Sequence, residues 1–207
     1  MLPLFLDLTD RLAVVVGGGA VGQRKARALL DAGAHVRVVA LEAPALTAER
    51  LDWRTKPYQP YQLDGAAVVF AAATPEVNHR VVADAKCRNL WVNCAHEPAA
   101  GDFFLPSTVR RGDFLLAIGT LGAAPALARK VRQRLEAEFD QAFGTWVKLL
   151  AELRPLILEQ VSDPAKRREL FERLTEWEWL ERLRREGEPA VRTAFAEELR
   201  RAGRLIE

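Results

Sequence analysis

Residues 92–104, VNCAHEPAAGDFF, end an apolar run at Asn93 and then set His96, Glu97 and Asp102 among small residues. An imidazole titrates near neutral pH, and an adjacent carboxylate can orient it, so the stretch holds the residue types that proton transfer needs. A polar loop needs no function, and a lone histidine is more often structural than catalytic. Position favours chemistry here, because the stretch follows a short strand and ligands in open α/β sheets bind at the carboxyl ends of the strands.

A second constellation is Gly17-Gly18-Gly19-Ala20-Val21-Gly22, which has the spacing G-x-G-x-x-G directly after the apolar segment LAVVV. In that setting Gly17 permits the tight turn, Gly19 lets a pyrophosphate approach the backbone and Gly22 lets helix and strand pack closely, with the phosphates at the positive helix end. Dinucleotide binding is the expectation, with a ligand-free glycine turn as the alternative. The usual acidic partner stands at the end of the second strand. Ala40 occupies that place and Glu42 is the nearest acid. Glu42 either reaches the ribose, which selects NAD over NADP, or is solvated loop.

Other charged and small residues read more blandly. Arg24, Lys25 and Arg27 follow the glycines and read as a solvated helix face, with charge for an anionic ligand as the alternative. Ala71-Ala72-Ala73-Thr74 with Asn78 lies at a strand end, where small residues leave room for a flat cofactor or only allow close packing. His79 reads as a surface helix residue, and His35 offers no role.

The elements that must position these residues follow from periodicity. Leu12–Val16 and Val36–Ala40 are β-branched apolar runs, as in strands buried on both faces, and Gln23–Leu30 between them has helical spacing. Residues 51–64 carry two prolines and read as loop with one edge strand. Residues 66–73 (AAVVFAAA) repeat the strand pattern, 75–86 the helix and 90–92 a further strand. This alternation predicts α/β architecture with a Rossmann-type parallel sheet. After Gly101, residues 102–110 and 114–118 flank Arg111-Gly112-Asp113 as a hairpin, and a helix is expected over 124–139 with Pro125 in its first turn. From Thr145 the chain reads as a small helical module punctuated at Pro155, Asp163-Pro164 and Glu188-Pro189. The expected organisation is 1–105 for the nucleotide domain, 106–144 for the hairpin and helix, and 145–207 for the helical module.

Composition excludes several classes. With 207 residues, 49% hydrophobic and 28% charged, the chain can bury a core and is neither disordered nor fibrous. A net charge of +2 does not argue for nucleic acid, and the arginines of the carboxyl-terminal helices alternate with glutamates, which suits self-paired solvated faces. Cys87 and Cys94 form neither a close pair nor a metal-ligand spacing, so a reducing cytoplasm is expected and no structural metal. The opening residues lack the basic region of a signal peptide, and their apolar run is too short to span a membrane.

The segments GGGAVGQRKARALLDAGAHVRVVA, AAATPEVNHRVV, VNCAHEPAAGDFFLPS and LLAIGTLGAAPALARKVRQRLE, in this order and spacing, resemble the precorrin-2 dehydrogenase family, including the amino-terminal half of bacterial siroheme synthase. The resemblance covers about two thirds of the chain; the helical tail matches only in character. It implies NAD-dependent oxidation of precorrin-2 to sirohydrochlorin, followed in some members by ferrous iron insertion, and a homodimer built through the hairpin and following helix. By position it places Gly19, Ala20, Val21, Leu41, Glu42 and Thr74 at NAD. Relatives commonly carry Asp where this chain has His96, which leaves a proton acceptor but weighs against iron insertion. His96 is the expected base, with Glu97 or Asp102 orienting it. A substrate rich in carboxylates needs cations, for which Arg110, Arg111 and Arg129 are candidates; ordinary surface charge is the alternative. With no second Gly-rich α/β segment in the chain, methylation is expected from a separate enzyme. A non-catalytic NAD-binding regulatory module would explain the glycine motif but not the hairpin and helix at family spacing.

Overall fold

The computed structural model describes residues 1–44 and 46–204, and these fall into two compact units that meet in sequence between Leu105 and Pro106. In the first unit, strands β1 (Leu12–Val16), β2 (His35–Ala40), β3 (Leu51–Thr55), β4 (Val68–Ala71) and β5 (Trp91–Cys94) form one parallel sheet in the order β3-β2-β1-β4-β5. Helices α1 (Ala20–Asp31) and α2 (Pro75–Cys87) make the crossovers from β1 to β2 and from β4 to β5. Strand order reverses between β1 and β4, which creates a crevice at their carboxyl ends.

Alternation of side chains across the strands explains why continuous apolar runs are needed. Val14, Val16, Val69, Ala71, Val92 and Cys94 share one core with Val81, Val82 and Ala85 of α2. Ala13, Val15, Val36, Val38, Val68 and Phe70 share the other with Ala26 and Leu29 of α1. Burying both faces leaves no polar positions on β1 or β4.

The second unit begins with an antiparallel hairpin, β6 (Ser107–Arg111) and β7 (Phe114–Ile118), joined by Gly112 at φ +60° and Asp113. Among the described residues five helices follow: α3 (Pro125–Glu138), α4 (Gln141–Gln160), α5 (Pro164–Leu174), α6 (Glu178–Glu186) and α7 (Glu188–Arg204). Their core gathers Phe143, Trp146, Leu149, Leu174 and Phe195, with Phe114 and Phe139 packed against it. Pro155 does not punctuate the chain as expected: α4 runs through it. Proline forfeits one bond to the carbonyl four residues back. Here Ala151 and Pro155 are both exposed, so water can serve that carbonyl while buried Leu149 and Ile157 hold the helix.

Candidate functional site

The glycine turn is built as the spacing requires. Gly17 has φ +119°, and a Cβ there would lie 2.2 Å from the carbonyl oxygen of Ala72. A Cβ on Gly22 would lie 2.0 Å from the Gly17 oxygen, so this glycine lets the helix start against the turn itself. A Cβ on Gly19 would meet nothing within 4 Å. That open backbone at the start of α1, beside exposed Ala20 and Val21, is where a pyrophosphate fits. A Cβ on Gly18 would lie 2.9 Å from a Glu42 carboxylate oxygen and 3.0 Å from the Trp53 ring. Glu42 thus lies against the glycine turn, and its carbonyl accepts a 3.1 Å bond from the Trp53 indole N–H. Trp53 carried no signal of a role in the sequence; it lies on β3, the edge strand expected within residues 51–64. Leu41 is exposed, as is Thr74, the residue preceding α2 across the crevice.

The loop carrying His96 leaves and rejoins the edge of β5. Asp102 clamps it there: its N–H donates to the Val92 carbonyl at 2.7 Å, and its carboxylate accepts from the Val92 N–H at 2.9 Å. A Cβ on Gly101 would lie 2.8 Å from that carbonyl, so only glycine allows so close a return. Asn93 completes the clamp by donating to the Phe103 carbonyl at 2.8 Å. Asp102 is therefore spent on backbone and is not bonded to His96.

Glu97 is likewise paired elsewhere, its carboxylate 3.1 Å from Nε2 of His79. What touches His96 is Asn78, whose Nδ2 is 3.2 Å from His96 Nδ1, and Cys94, whose Sγ is 3.3 Å from the same nitrogen. The rings of His79 and His96 stand 5.1 Å apart. His79, His96 and Glu97, all exposed, each bring one potential ligand atom within 4.8 Å of the others, which makes this trio the candidate for a divalent cation among the described residues.

Lys25 overturns the reading of a solvated helix face. It is 9% exposed, and its ammonium donates to Oδ1 of Asn93 at 2.6 Å, lying 5.2 Å from the centre of the Phe70 ring. Burial lowers its pKa to about 8, the positive charge of Arg24 adds to the effect, and Cys94 opposes it. Arg24 and Arg27 are exposed as expected. In the second unit, Arg110 on β6 and Arg129 on α3 are exposed and take part in no ion pair among the described residues. Arg111 instead donates to the carbonyls of Arg110 and Glu136.

Comparison with known proteins agrees with this geometry. A family described as NAD(P)-binding matches residues 4–107, half of the chain. A siroheme synthase of Photorhabdus laumondii is 37% identical over 177 residues, covering 83% of this chain and 38% of that protein. One of Methylobacillus flagellatus is 36% identical over 210 aligned positions, covering 99% of this chain and 45% of that protein. The chain thus spans less than half the length of these relatives. A solved structure, SirC, precorrin-2 dehydrogenase, superposes with a TM-score of 0.79 at 24% identity, over 97% of this chain and 100% of the other, and so shares the fold. The chain belongs to the NAD(P)-binding family, with siroheme synthases as its relatives over nearly its whole length.

Proposed function

We propose that this chain oxidises precorrin-2 to sirohydrochlorin with NAD as hydride acceptor, in the synthesis of siroheme. The observation that carries the reading is the placing of a histidine loop at the carboxyl end of β5, in the same unit as an open glycine turn. The naming of its relatives as siroheme synthases, and of a structure with its fold as a precorrin-2 dehydrogenase, supports the substrate. Glu42 beside Gly18 favours NAD over NADP, since a carboxylate there accepts a ribose hydroxyl and repels a 2′-phosphate.

NAD, when bound, would supply the hydride acceptor for oxidation of the reduced tetrapyrrole framework. The chain's own residues bind and align the two partners and receive the proton released as conjugation extends. In this reading His96 and Glu97 meet substrate, Asp102 clamps their loop, and Arg110 and Arg129 are assigned as cations for the carboxylates. We assign the hairpin with α3 to a homodimer, supported by exposed Leu121, Leu127 and Val131 in that segment. No helix among the described residues is long and apolar enough to cross a membrane, and Cys87 and Cys94 are free, which suits a reaction in the cytoplasm.

Anaerobic incubation with precorrin-2 and NAD should give NADH and sirohydrochlorin in equal amounts, and His96→Ala should slow both. NAD binding without turnover would favour a regulatory module. Ferrous iron insertion is a second reading, favoured by the His79, His96 and Glu97 trio. Ferrous iron added after oxidation should then yield siroheme, with less in His79→Ala; no siroheme at all would confine the chain to oxidation.

A further inference from the structure

Which nitrogen of the His96 ring carries the proton is decided by the atoms around it. Asn78 lies fully buried on α2, and its amide is pinned by one residue. Oδ1 accepts from the Ala73 N–H at 2.8 Å, and Nδ2 donates to the Ala73 carbonyl at 3.1 Å. Exchanging the amide's oxygen and nitrogen would set donor against donor and acceptor against acceptor, so its orientation follows from the backbone. The remaining Nδ2 hydrogen faces Nδ1 of His96 at 3.2 Å. A ring nitrogen opposite an amide N–H must offer its lone pair.

Cys94 is the competing neighbour, with Sγ 3.3 Å from the same nitrogen. As a donor its thiol makes the same demand on Nδ1. As an acceptor it would need the proton on Nδ1, but sulfur accepts weakly, and that arrangement would leave an amide hydrogen of buried Asn78 facing another N–H.

We propose that Asn78 is a positioning residue that fixes neutral His96 with Nδ1 as acceptor and the proton on Nε2, so that this exposed ring presents a hydrogen-bond donor to the ligand. The consequence for catalysis rests on the dehydrogenase reading. In that reaction the His96 N–H would bind a substrate carboxylate and the Glu97 carboxylate would take the released proton and pass it to solvent, while NAD, when bound, would supply the hydride acceptor. The base role that histidine's residue type suggested becomes a donor role. A cation ligated through Nε2 of His96 would send the proton to Nδ1 and so break the Asn78 bond, and one ligated through Nδ1 would replace that bond directly.

The chain has only three histidines, so nitrogen NMR of protein labelled at histidine gives a spectrum that can be assigned with His79→Gln and His35→Gln. At slightly alkaline pH, without nucleotide or substrate, Nδ1 of His96 should resonate as an unprotonated ring nitrogen and Nε2 as a proton-bearing one. Asn78→Asp, whose carboxylate accepts where the amide donated, should move the proton to Nδ1. In turnover this variant should raise the KM for precorrin-2 roughly tenfold while changing kcat less, as loss of a charge-assisted bond to substrate predicts. A proton on Nδ1 in the unaltered protein would overturn the proposal, as would a folded Asn78→Asp variant whose tautomer is unchanged. Should Asn78→Asp not fold, the unaltered protein's spectrum decides alone. Because that spectrum needs no turnover, a chain that never oxidises precorrin-2 yet keeps the Nε2 proton would sink the dehydrogenase reading and leave the tautomer standing.

Discussion

The ammonium of Lys25 and the side-chain oxygen of Asn93 are 2.6 Å apart, in a bond that joins α1 to the end of β5 beneath the loop carrying His96. Asn93 passes the connection on through its bond to the Phe103 carbonyl, and Phe103 packs edge-on against Phe70. The helix that opens at the glycine turn and the loop that carries His96 are thus tied through one buried lysine.

That lysine has a cost that pH should reveal. Its folded pKa of about 8 lies below the ordinary value of 10.5, chiefly because burial takes the ammonium out of water. Between these values the unfolded chain binds more protons than the folded one, so stability rises with pH across that window. Below it the folded state carries a constant penalty of about 3 kcal/mol. Lys25→Met should remove the rise. Urea unfolding of both proteins from about pH 7 to 10.5 measures it, and parallel curves would mean that Lys25 is not held in this environment.

The three motif glycines should separate into structural and functional ones. Gly17→Ala and Gly22→Ala place a Cβ within 2.2 Å of backbone oxygens, which have no side-chain freedom to yield, and both should lose the folded first unit. Gly19→Ala meets nothing within 4 Å and should fold with an unchanged Tm while losing NAD affinity, because the added methyl occupies the path of the pyrophosphate. Thermal unfolding beside nucleotide titration separates the two; undiminished NAD binding by Gly19→Ala would refute that placement of the phosphates.

The sheet was legible because burial on both faces forces unbroken apolar runs, and β1 was read at its actual bounds, Leu12–Val16. The start of α4 was missed although its signal was present: Asp140 accepts from the Phe143 N–H at 3.0 Å as a helix cap, five residues before Thr145. Lys25 was unreadable for a different reason. A charged residue on an amphipathic helix defaults to solvent, and only the tertiary approach of Asn93, 68 residues away, makes its burial tolerable. The same limit applied to His96. Residue types near it in sequence suggested Glu97 or Asp102 as its support, whereas its contact with Asn78 crosses from α2 to the loop after β5.

Of the three candidate arginines Arg110, Arg111 and Arg129, two stand without an ion pair among the described residues. Arg110 and Arg129 have no acidic partner among the described residues, whereas the Arg111 guanidinium holds the carbonyls of Arg110 and Glu136. Arg110→Ala and Arg129→Ala should each raise the KM for precorrin-2 by roughly tenfold at unchanged Tm, the scale of a charge-assisted bond to carboxylate. Arg111→Ala should lower the Tm instead. An unaltered KM in both of the first two variants would return these arginines to ordinary surface charge.

Nucleotide choice should turn on Glu42. Its carboxylate lies against Gly18 at the glycine turn, while its backbone is held separately by the Trp53 indole, so the side chain can be exchanged without releasing the loop. A 2′-phosphate brought beside that carboxylate would meet like charge close to a buried strand end, where screening is weaker than in open solvent. Glu42→Ser should therefore raise kcat/KM with NADP and lower it with NAD, changing their ratio by about tenfold or more, equivalent to at least ~1.4 kcal/mol of discrimination. Trp53→Phe keeps the ring but loses the bond to the Glu42 carbonyl, and should weaken both nucleotides alike. Parallel assays of NADH and NADPH formation with precorrin-2 distinguish the two effects. A ratio that stays fixed in Glu42→Ser would show the carboxylate to be solvated loop, and selection would then rest on other residues around the turn.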